Sequence, residues 1–249
     1  MKKLSFLFQT FKNIYWVIVI TCISVAMPAS AATVFSDNSF NLADYTVETF
    51  QTGGAVISTI QTLSAGNPGP ALQTVIEEPA FSGVFYTRQY FMNSSFLYDT
   101  NTQGAVQSID FIGDAYLEAQ SLNVTDRGIA GILYQNSRYY VHAISTPPIN
   151  AVWQTGSANG LLSSDFDLVT NLLTTETDVS SHPDFNNGVL QFGILMGTYT
   201  IGNTQPIIDV RVDNLSYTVN SVPLPTAGWL LFAGILSLSG VARSRNKRE

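Results

Sequence analysis

Residues 208–219 read IDVRVDNLSYTV, and this stretch indicates the fold class. Apolar and polar side chains alternate through most of it, with Ile, Val, Leu and Tyr at the apolar positions. Successive side chains of a β-strand point to opposite faces, so this alternation is typical of a strand that has one face in a core. The stretch therefore predicts a long, half-buried strand.

Six further segments of this kind precede it, and Gly, Pro, Asn and Ser residues divide them. They are rich in β-branched and aromatic residues, as strands are. Gln135, Asn136 and Ser137 lie between two of the segments and indicate a hairpin turn. Many short strands at this spacing favour an all-β fold, namely a single β-sandwich or jelly roll over residues 32–221. The six segments are 55–63, 83–91, 105–111, 131–134, 139–144 and 190–195.

One stretch of the central region has a different period. The run Ser163-Ser164-Asp165 can cap a helix, and four apolar residues follow it at roughly helical spacing. We therefore expect one short helix in the sandwich. The four apolar residues are Phe166, Val169, Leu172 and Leu173.

The charges of the chain are unevenly distributed. The 249 residues carry a formal charge of −7, yet residues 32–222 hold 17 acids against four arginines and contain no lysine. A domain this acidic repels the phosphates of nucleic acids, so nucleic acid is excluded as an expected partner. Aliphatic and aromatic residues recur throughout the region, which argues against disorder.

The N-terminus has the three parts of a secretory signal peptide. Lysines precede an apolar run over residues 14–27, and Ala29 and Ala31 supply the small residues of a cleavage site. We expect residues 1–31 to be removed, with an uncleaved signal anchor as the alternative. Cys22, the only cysteine, lies inside the apolar run, so the mature chain has neither a disulfide nor a thiol nucleophile.

The C-terminus combines a proline motif, an apolar span and a basic end. The motif is followed by the uncharged residues 226–242, which are close to the shortest length for a transmembrane helix. The basic cluster after them is expected to stay cytoplasmic. A plain single-span anchor is the alternative, and it also places the central domain outside the cytoplasm. The motif is Val222, Pro223, Leu224 and Pro225, and the basic residues are Arg243, Arg245, Lys247 and Arg248.

This tail resembles the PEP-CTERM sorting signals of Gram-negative bacteria, in the variant that begins Val-Pro-Leu-Pro. The match includes GWLLFAG at residues 228–234, whereas Thr226 stands where the variant usually has alanine. The resemblance implies that an exosortase, a membrane-embedded cysteine transpeptidase-like enzyme, recognises Pro223 and Pro225 and removes the tail. It also implies export by the secretion machinery, transient anchoring in the inner membrane, and a final place at the cell surface or in the extracellular matrix.

The central domain looks like the extracellular jelly-roll domains often found ahead of such tails. Those domains resemble concanavalin-like and laminin-G-like sandwiches and carbohydrate-binding modules. The resemblance implies an extracellular β-sandwich and makes extracellular polysaccharide an expected partner, although a fold does not by itself fix a function. The segments that carry it are 35–37, 41–45, 66–69, 104–106, 108–111, 182–185, 191–193 and 212–215.

Two acidic positions suggest a structural calcium ion. Asp37 opens the domain and Asp213 lies near its last strand. First and last strands often neighbour each other in jelly rolls, and hard cations bind the carboxylate and carbonyl oxygens of loops. We therefore expect calcium at Asp37 and Asp213. The alternative is that these acids are ordinary surface charge.

Aromatic residues are the candidates for sugar binding, because their rings can stack on the faces of pyranose rings. Trp153 is the only tryptophan of the mature domain. Tyr86 and Tyr90 share one face of a predicted strand, because alternate residues of a strand do so. The alternative is that the rings fill the interior of the sandwich or lie on the surface of a hairpin.

The sequence does not favour an enzyme. It contains neither a Gly-x-Ser-x-Gly elbow nor a His-Glu-x-x-His motif in the domain, and His142 and His182 are its only histidines. We expect an exported, non-catalytic surface or matrix protein that binds extracellular polysaccharide. A structural or adhesive surface protein is the alternative, and an extracellular carbohydrate-active enzyme is the less favoured one.

Overall fold

The structure of the protein is a computed structural model that describes residues 32–79, 83–119, 124–145, 151–202 and 206–222. The expected signal peptide and the expected sorting tail after Val222 lie outside these residues. Within the described ranges, no helix is both long and apolar enough to cross a membrane.

The described residues form thirteen strands in two antiparallel sheets. In chain order the strands are β1 (Thr33–Asp37), β2 (Tyr45–Gln51), β3 (Val56–Gly66), β4 (Gly69–Glu77), β5 (Gly83–Asp99), β6 (Val106–Ala119), β7 (Val124–Gln135), β8 (Arg138–Ser145), β9 (Gln154–Leu161), β10 (Asp167–Asn171), β11 (Glu176–Asp178), β12 (Val189–Gly202) and β13 (Ile207–Ser221).

The six-stranded sheet has the order β3-β4-β13-β6-β9, and β1 also pairs with β13. β4 pairs with residues 207–212 of β13 and β1 pairs with residues 215–219, so these two strands lie end to end along one side of the last strand. The first strand therefore neighbours the last, as the sequence predicts. The seven-stranded sheet has the order β11-β10-β8-β7-β12-β5-β2.

The core lies between the two sheets, which confirms the predicted β-sandwich. β13 contributes alternate apolar residues on both sides of a register shift between Asp213 and Ser216. Tyr217 crosses the core and its hydroxyl donates a hydrogen bond to the Gly193 carbonyl of β12, at 2.5 Å. The alternating residues 208–219 thus lie in a central strand of the sheet. Their core residues are Ile208, Val210, Val212, Leu215, Tyr217 and Val219.

Five of the seven segments predicted as strands lie within strands, and the other two begin one residue early, at Ala55 before β3 and Ala105 before β6. The predicted hairpin turn joins β7 to β8. Asn136 and Ser137 both have positive φ, at 52° and 62°. Two positive φ values in a two-residue loop match the twist of antiparallel strands, which explains why this connection is so short.

The prediction of a short helix after Ser163 is wrong. Ser163–Asp165 form only a single 3₁₀ turn, whose Asp165 carboxylate accepts a hydrogen bond from the Leu162 amide at 2.7 Å. The chain then continues as β10, which pairs with β8 on one side and β11 on the other. Strand pairing on both sides, with β-branched residues in the strand, outweighs the helical spacing of the apolar side chains. Among the described residues the one α-helical turn is α1 (Thr100–Gln103), capped by Asp99.

Candidate functional site

A row of four side chains crosses the outer face of the six-stranded sheet. Gln73, Arg211 and Tyr116 occupy directly opposed positions on β4, β13 and β6. Trp153 precedes β9, and its ring centroid lies 5.6 Å from that of Tyr116. Since Val210 and Val212 point into the core, the intervening Arg211 points outward. The opposed residues Gln73 and Tyr116 lie on the same outer face. We call these four residues the Trp153 row.

Arg211 is held in place by Asp209. Its Nε lies 3.1 Å from both carboxylate oxygens of Asp209, and its Nη2 lies 2.5 Å from Oδ2. This hydrogen bonding raises the pKa of Arg211, so the guanidinium stays charged. Gln73 Nε2 donates to the same Asp209 oxygen at 2.8 Å. The guanidinium carbon lies 4.5 Å from the centroid of the Tyr116 ring, which is a cation–π contact.

Tyr116 is anchored at its far end. Its hydroxyl donates to Glu118 Oε2 at 2.8 Å. Burial of the ring, together with this hydrogen bond to a carboxylate, raises the pKa of Tyr116, so the phenol stays neutral near neutral pH. The rings of Tyr116 and Trp153 are both partly exposed. The row thus offers two aromatic rings beside amide and guanidinium donors and carboxylate acceptors.

A second aromatic face lies on the outside of the seven-stranded sheet. Tyr86 and Tyr90 share it, as the strand alternation predicts, and Tyr86 pairs with Tyr199 of β12 at a ring-centroid distance of 4.9 Å. Tyr90 is fully buried. It belongs to an apolar cluster that is separate from the core between the sheets. The cluster consists of Tyr90, Met92, Ile132, Tyr139, Val141, Val169 and Leu195.

The turn between β10 and β11 packs over the middle of this second face and covers it. Tyr90 donates its hydroxyl hydrogen bond to the Leu172 carbonyl at 3.0 Å, and Arg88 Nε donates to Thr175 Oγ1 at 2.9 Å. β5 lies four strands away from β10, so the turn reaches these groups by folding back across the sheet. Tyr90 therefore offers no exposed ring to a ligand, and Tyr86 remains partly exposed beside the closed region.

Asp37 and Asp213 lie near each other in the sheet but serve different turns. The Asp37 carboxylate accepts from the amides of Ser39 and Phe40 and from the Tyr45 hydroxyl, at 2.7–2.8 Å. Asp213 accepts from the amides of Asn67 and Asn214. The two carboxylates share none of these hydrogen-bond partners.

Asp213 instead faces Asp114, its opposed residue on β6. Asp114 accepts from the side-chain amides of Asn67 and Asn214 and from the Thr155 hydroxyl, at 3.2, 2.7 and 2.6 Å. Within the described ranges, no group of three or more His, Cys, Asp or Glu side chains is arranged to hold a metal. Calcium at Asp37 and Asp213 stays a prediction, and calorimetric titration of CaCl₂ into wild type and Asp213→Asn tests it.

Both histidines bind backbone carbonyl groups. Nδ1 of His142 lies 2.8 Å from the Asp165 carbonyl, and Nδ1 of His182 lies 3.0 Å from the Phe166 carbonyl. These contacts hold the 3₁₀ turn against β8 and hold Phe166, just before β10, against the segment that follows β11. Each histidine therefore has a structural role.

The sequence indicates Trp153 as a candidate for sugar binding, but it does not indicate the other three residues of the Trp153 row. Arg211 sits between two core valines in an alternating strand, which is a signal that it points outward. Tyr116 and Gln73 could not be assigned to the same place, because the register of β4, β13 and β6 decides which residues meet and no local pattern encodes it.

No family model and no curated protein matches the sequence. Among solved structures, the chain is similar to a family 11 carbohydrate-binding module from Clostridium thermocellum in complex with a β-1,3-1,4-mixed-linked tetrasaccharide. The TM-score is 0.44 at 12% identity, over 79% of this chain and 99% of that one. A mannan-recognising carbohydrate-binding module gives 0.38 at 11% identity, over 77% and 100%. The CBM22-1 xylan-binding domain from Paenibacillus barcinonensis gives 0.35 at 10% identity, over 79% and 99%. Since these scores lie below 0.5, the architecture described above rests on the strand pairing of this chain.

Proposed function

We propose that this chain is an exported, non-catalytic module that binds neutral polysaccharide through the Trp153 row. The observation that carries the proposal is the placement of two partly exposed rings, Trp153 and Tyr116, directly beside Arg211 on a sheet face. Aromatic rings bind the apolar faces of sugars, while the planar guanidinium and the Gln73 amide can hydrogen-bond vicinal hydroxyls.

The row suits an extended ligand. It crosses from the β9 side of the sheet over β6 and β13 to β4, which is about 14 Å at the usual strand spacing. Its members lie on one sheet face, and Asp209 and Glu118 hold three of them, Gln73, Arg211 and Tyr116, so these three need little side-chain ordering when a ligand binds. We therefore expect the row to bind a segment of a glycan chain in preference to a single sugar ring.

The charge around the row favours a neutral glycan. Arg211 is already neutralised by Asp209, and Glu118 adds a further carboxylate at the edge of Tyr116. The whole domain is acidic. A polyanionic glycan would meet like charge at the site and in the surrounding field.

Affinity electrophoresis and isothermal titration calorimetry against neutral polysaccharides, including that of the host, test the proposal. We expect Trp153→Ala and Tyr116→Ala each to weaken binding by about tenfold or more, as truncation of a central aromatic contact does. Tyr86→Ala, on the opposite sheet, is the matched control and should bind like wild type. If wild-type protein binds none of these polysaccharides, the proposed binding function is wrong. If only Tyr86→Ala loses binding, the site lies on the seven-stranded sheet instead.

We also propose that the chain is sorted by an exosortase after export. The support is the motif at Val222–Pro225 ahead of an apolar span and a basic end. Mass spectrometry and fractionation of the native host test this with Pro223→Ala and Pro225→Ala. Loss of the tail in wild type, blocked in the variants, is expected. An uncut chain that stays in the membrane in every variant would instead make the protein a plain anchored ectodomain.

A further inference from the structure

The edge strands of the two sheets are unequally protected against pairing with other chains. Within the described ranges, the edges are β3, β9 and β1 of one sheet and β2 and β11 of the other. β1 has only five residues and ends in Asp37. β11 has three residues and two of them are acids, β2 carries Glu48, and two of the eight residues of β9 are glycine. Short length, charge and glycine all discourage edge-to-edge pairing.

β3 is less protected, because its one glycine, Gly66, is its last residue and its register with β4 is regular from Val56 to Thr62. It is eleven residues long and contains neither a charged residue nor proline. Residues 49–76, which include β3 and most of its partner β4, hold no Asp, Glu, Lys or Arg at all. Val56, Ile60 and Leu63 are exposed, at 65%, 47% and 75%. A long, uncharged, apolar edge strand is a template for another strand.

We propose that a second copy of this chain pairs through β3, antiparallel to the first, and joins the two six-stranded sheets into one. A second copy fits because an antiparallel pair of identical strands is self-complementary about a twofold axis. The rest of the domain is strongly acidic, so two copies repel each other over most of their surfaces. At β3 no charge stands opposite its own copy, whereas pairing through β2 or β11 would set acid against acid.

The pairing also fixes how the two outer faces are related. In an antiparallel pair the twofold axis is perpendicular to the sheet, so the outer faces of both copies lie on the same side. Ile60 is opposed to Gln73, the first residue of the Trp153 row. The rows of the two copies would therefore lie on one continuous surface, although the pairing does not depend on their binding a ligand.

Sedimentation equilibrium of the full chain in a mild non-ionic detergent tests the pairing. We expect wild type to form dimers as its concentration rises, and Ile60→Lys to raise the dissociation constant by at least tenfold. Ile112→Lys is the matched control. Ile112 lies on β6 in the interior of the same sheet and is 44% exposed, so this variant should dimerise like wild type.

Hydrogen exchange of the β3 amides provides a second measurement that does not depend on a variant. Protection that rises with protein concentration supports the dimer. The informative amides are those that point away from β4. Exchange of these amides that is the same at every concentration, whether fast or slow, would overturn the proposal. Equal dissociation constants for wild type and a folded Ile60→Lys would overturn it as well.

Discussion

Glu78 is a buried acid that links the two sheets. It follows β4, is 4% exposed, and accepts a hydrogen bond through Oε2 from the Thr200 hydroxyl of β12. Its Oε1 has no hydrogen-bond partner among the described residues. Burial raises the pKa of Glu78 above its ordinary value of 4.5, and the Thr200 hydrogen bond only partly opposes this. The folded protein therefore favours the protonated form of Glu78 more than the unfolded chain does.

The pH dependence of stability follows from that preference. Between pH 4.5 and the raised pKa of the folded state, the folded protein binds more protons than the unfolded chain, so its stability falls as the pH rises. Glu78→Gln removes the titration. We expect this variant to have a higher melting temperature than wild type at pH 7, by a few degrees (about 2–4 °C per kcal/mol), and no advantage at pH 4.

Calorimetric scans from pH 4 to pH 7 measure the effect. Glu77→Gln is the control, because Glu77 is the adjacent acid and is exposed. Its melting temperature should follow that of wild type at every pH. Parallel pH profiles for Glu78→Gln and wild type would show that the carboxyl is charged at little cost in the folded state.

At the scale of the strand, Gly193 permits the close packing of β12 on β5. The register of the two strands shifts between Gln191 and Gly193. A Cβ at position 193 would lie 2.2 Å from the Phe91 carbonyl oxygen and 2.7 Å from the Met92 sulfur. Because a backbone atom is the nearest obstacle, a side chain here forces the strands apart.

We expect Gly193→Ala to lower the free energy of unfolding by about 3 kcal/mol, the upper range for overpacking. Urea unfolding followed by tryptophan fluorescence measures it. Gly113→Ala on β6 is the control, because a Cβ there would lie 3.5 Å from the Phe111 ring, an ordinary contact. A similar loss in both variants would point to a general effect of replacing glycine in strands.

Local patterns predict the strands of this protein unevenly. Clear alternation predicts strands such as β13, whereas β9 cannot be predicted, because its sequence QTGSANGL has no apolar alternation. The segment after Ser163 has helical spacing yet forms β10, since pairing with β8 and β11 lies outside any local window. The candidate site shows the same limit. Trp153 could be named from its residue type, but its neighbours depend on strand register.

At the scale of the whole molecule, the excess of acids should make stability depend on salt. Residues 32–222 hold 17 acids and four arginines, and the ion pair of Arg211 with Asp209 is partly exposed. Self-repulsion of the net charge opposes folding, and salt screens it over about 8 Å at physiological strength. We expect the melting temperature to rise by a few degrees between 10 and 300 mM NaCl and then level off.

Thermal unfolding followed by circular dichroism across this salt range measures the effect. Sucrose at matched osmolality is the control, since it does not screen charge. A melting temperature that falls as NaCl is added would mean that local ion pairs contribute more than the net repulsion does.

The position of β13 has a consequence for the order in which the molecule is completed. This last strand lies in the middle of its sheet, where it pairs with β6 on one side and with β4 and β1 on the other. A chain that is synthesised from its amino end cannot close this sheet until residue 221 has left the ribosome. An amino-terminal fragment that lacks β13 therefore cannot form this sheet, and it leaves β1, β4 and β6 without the strand that joins them.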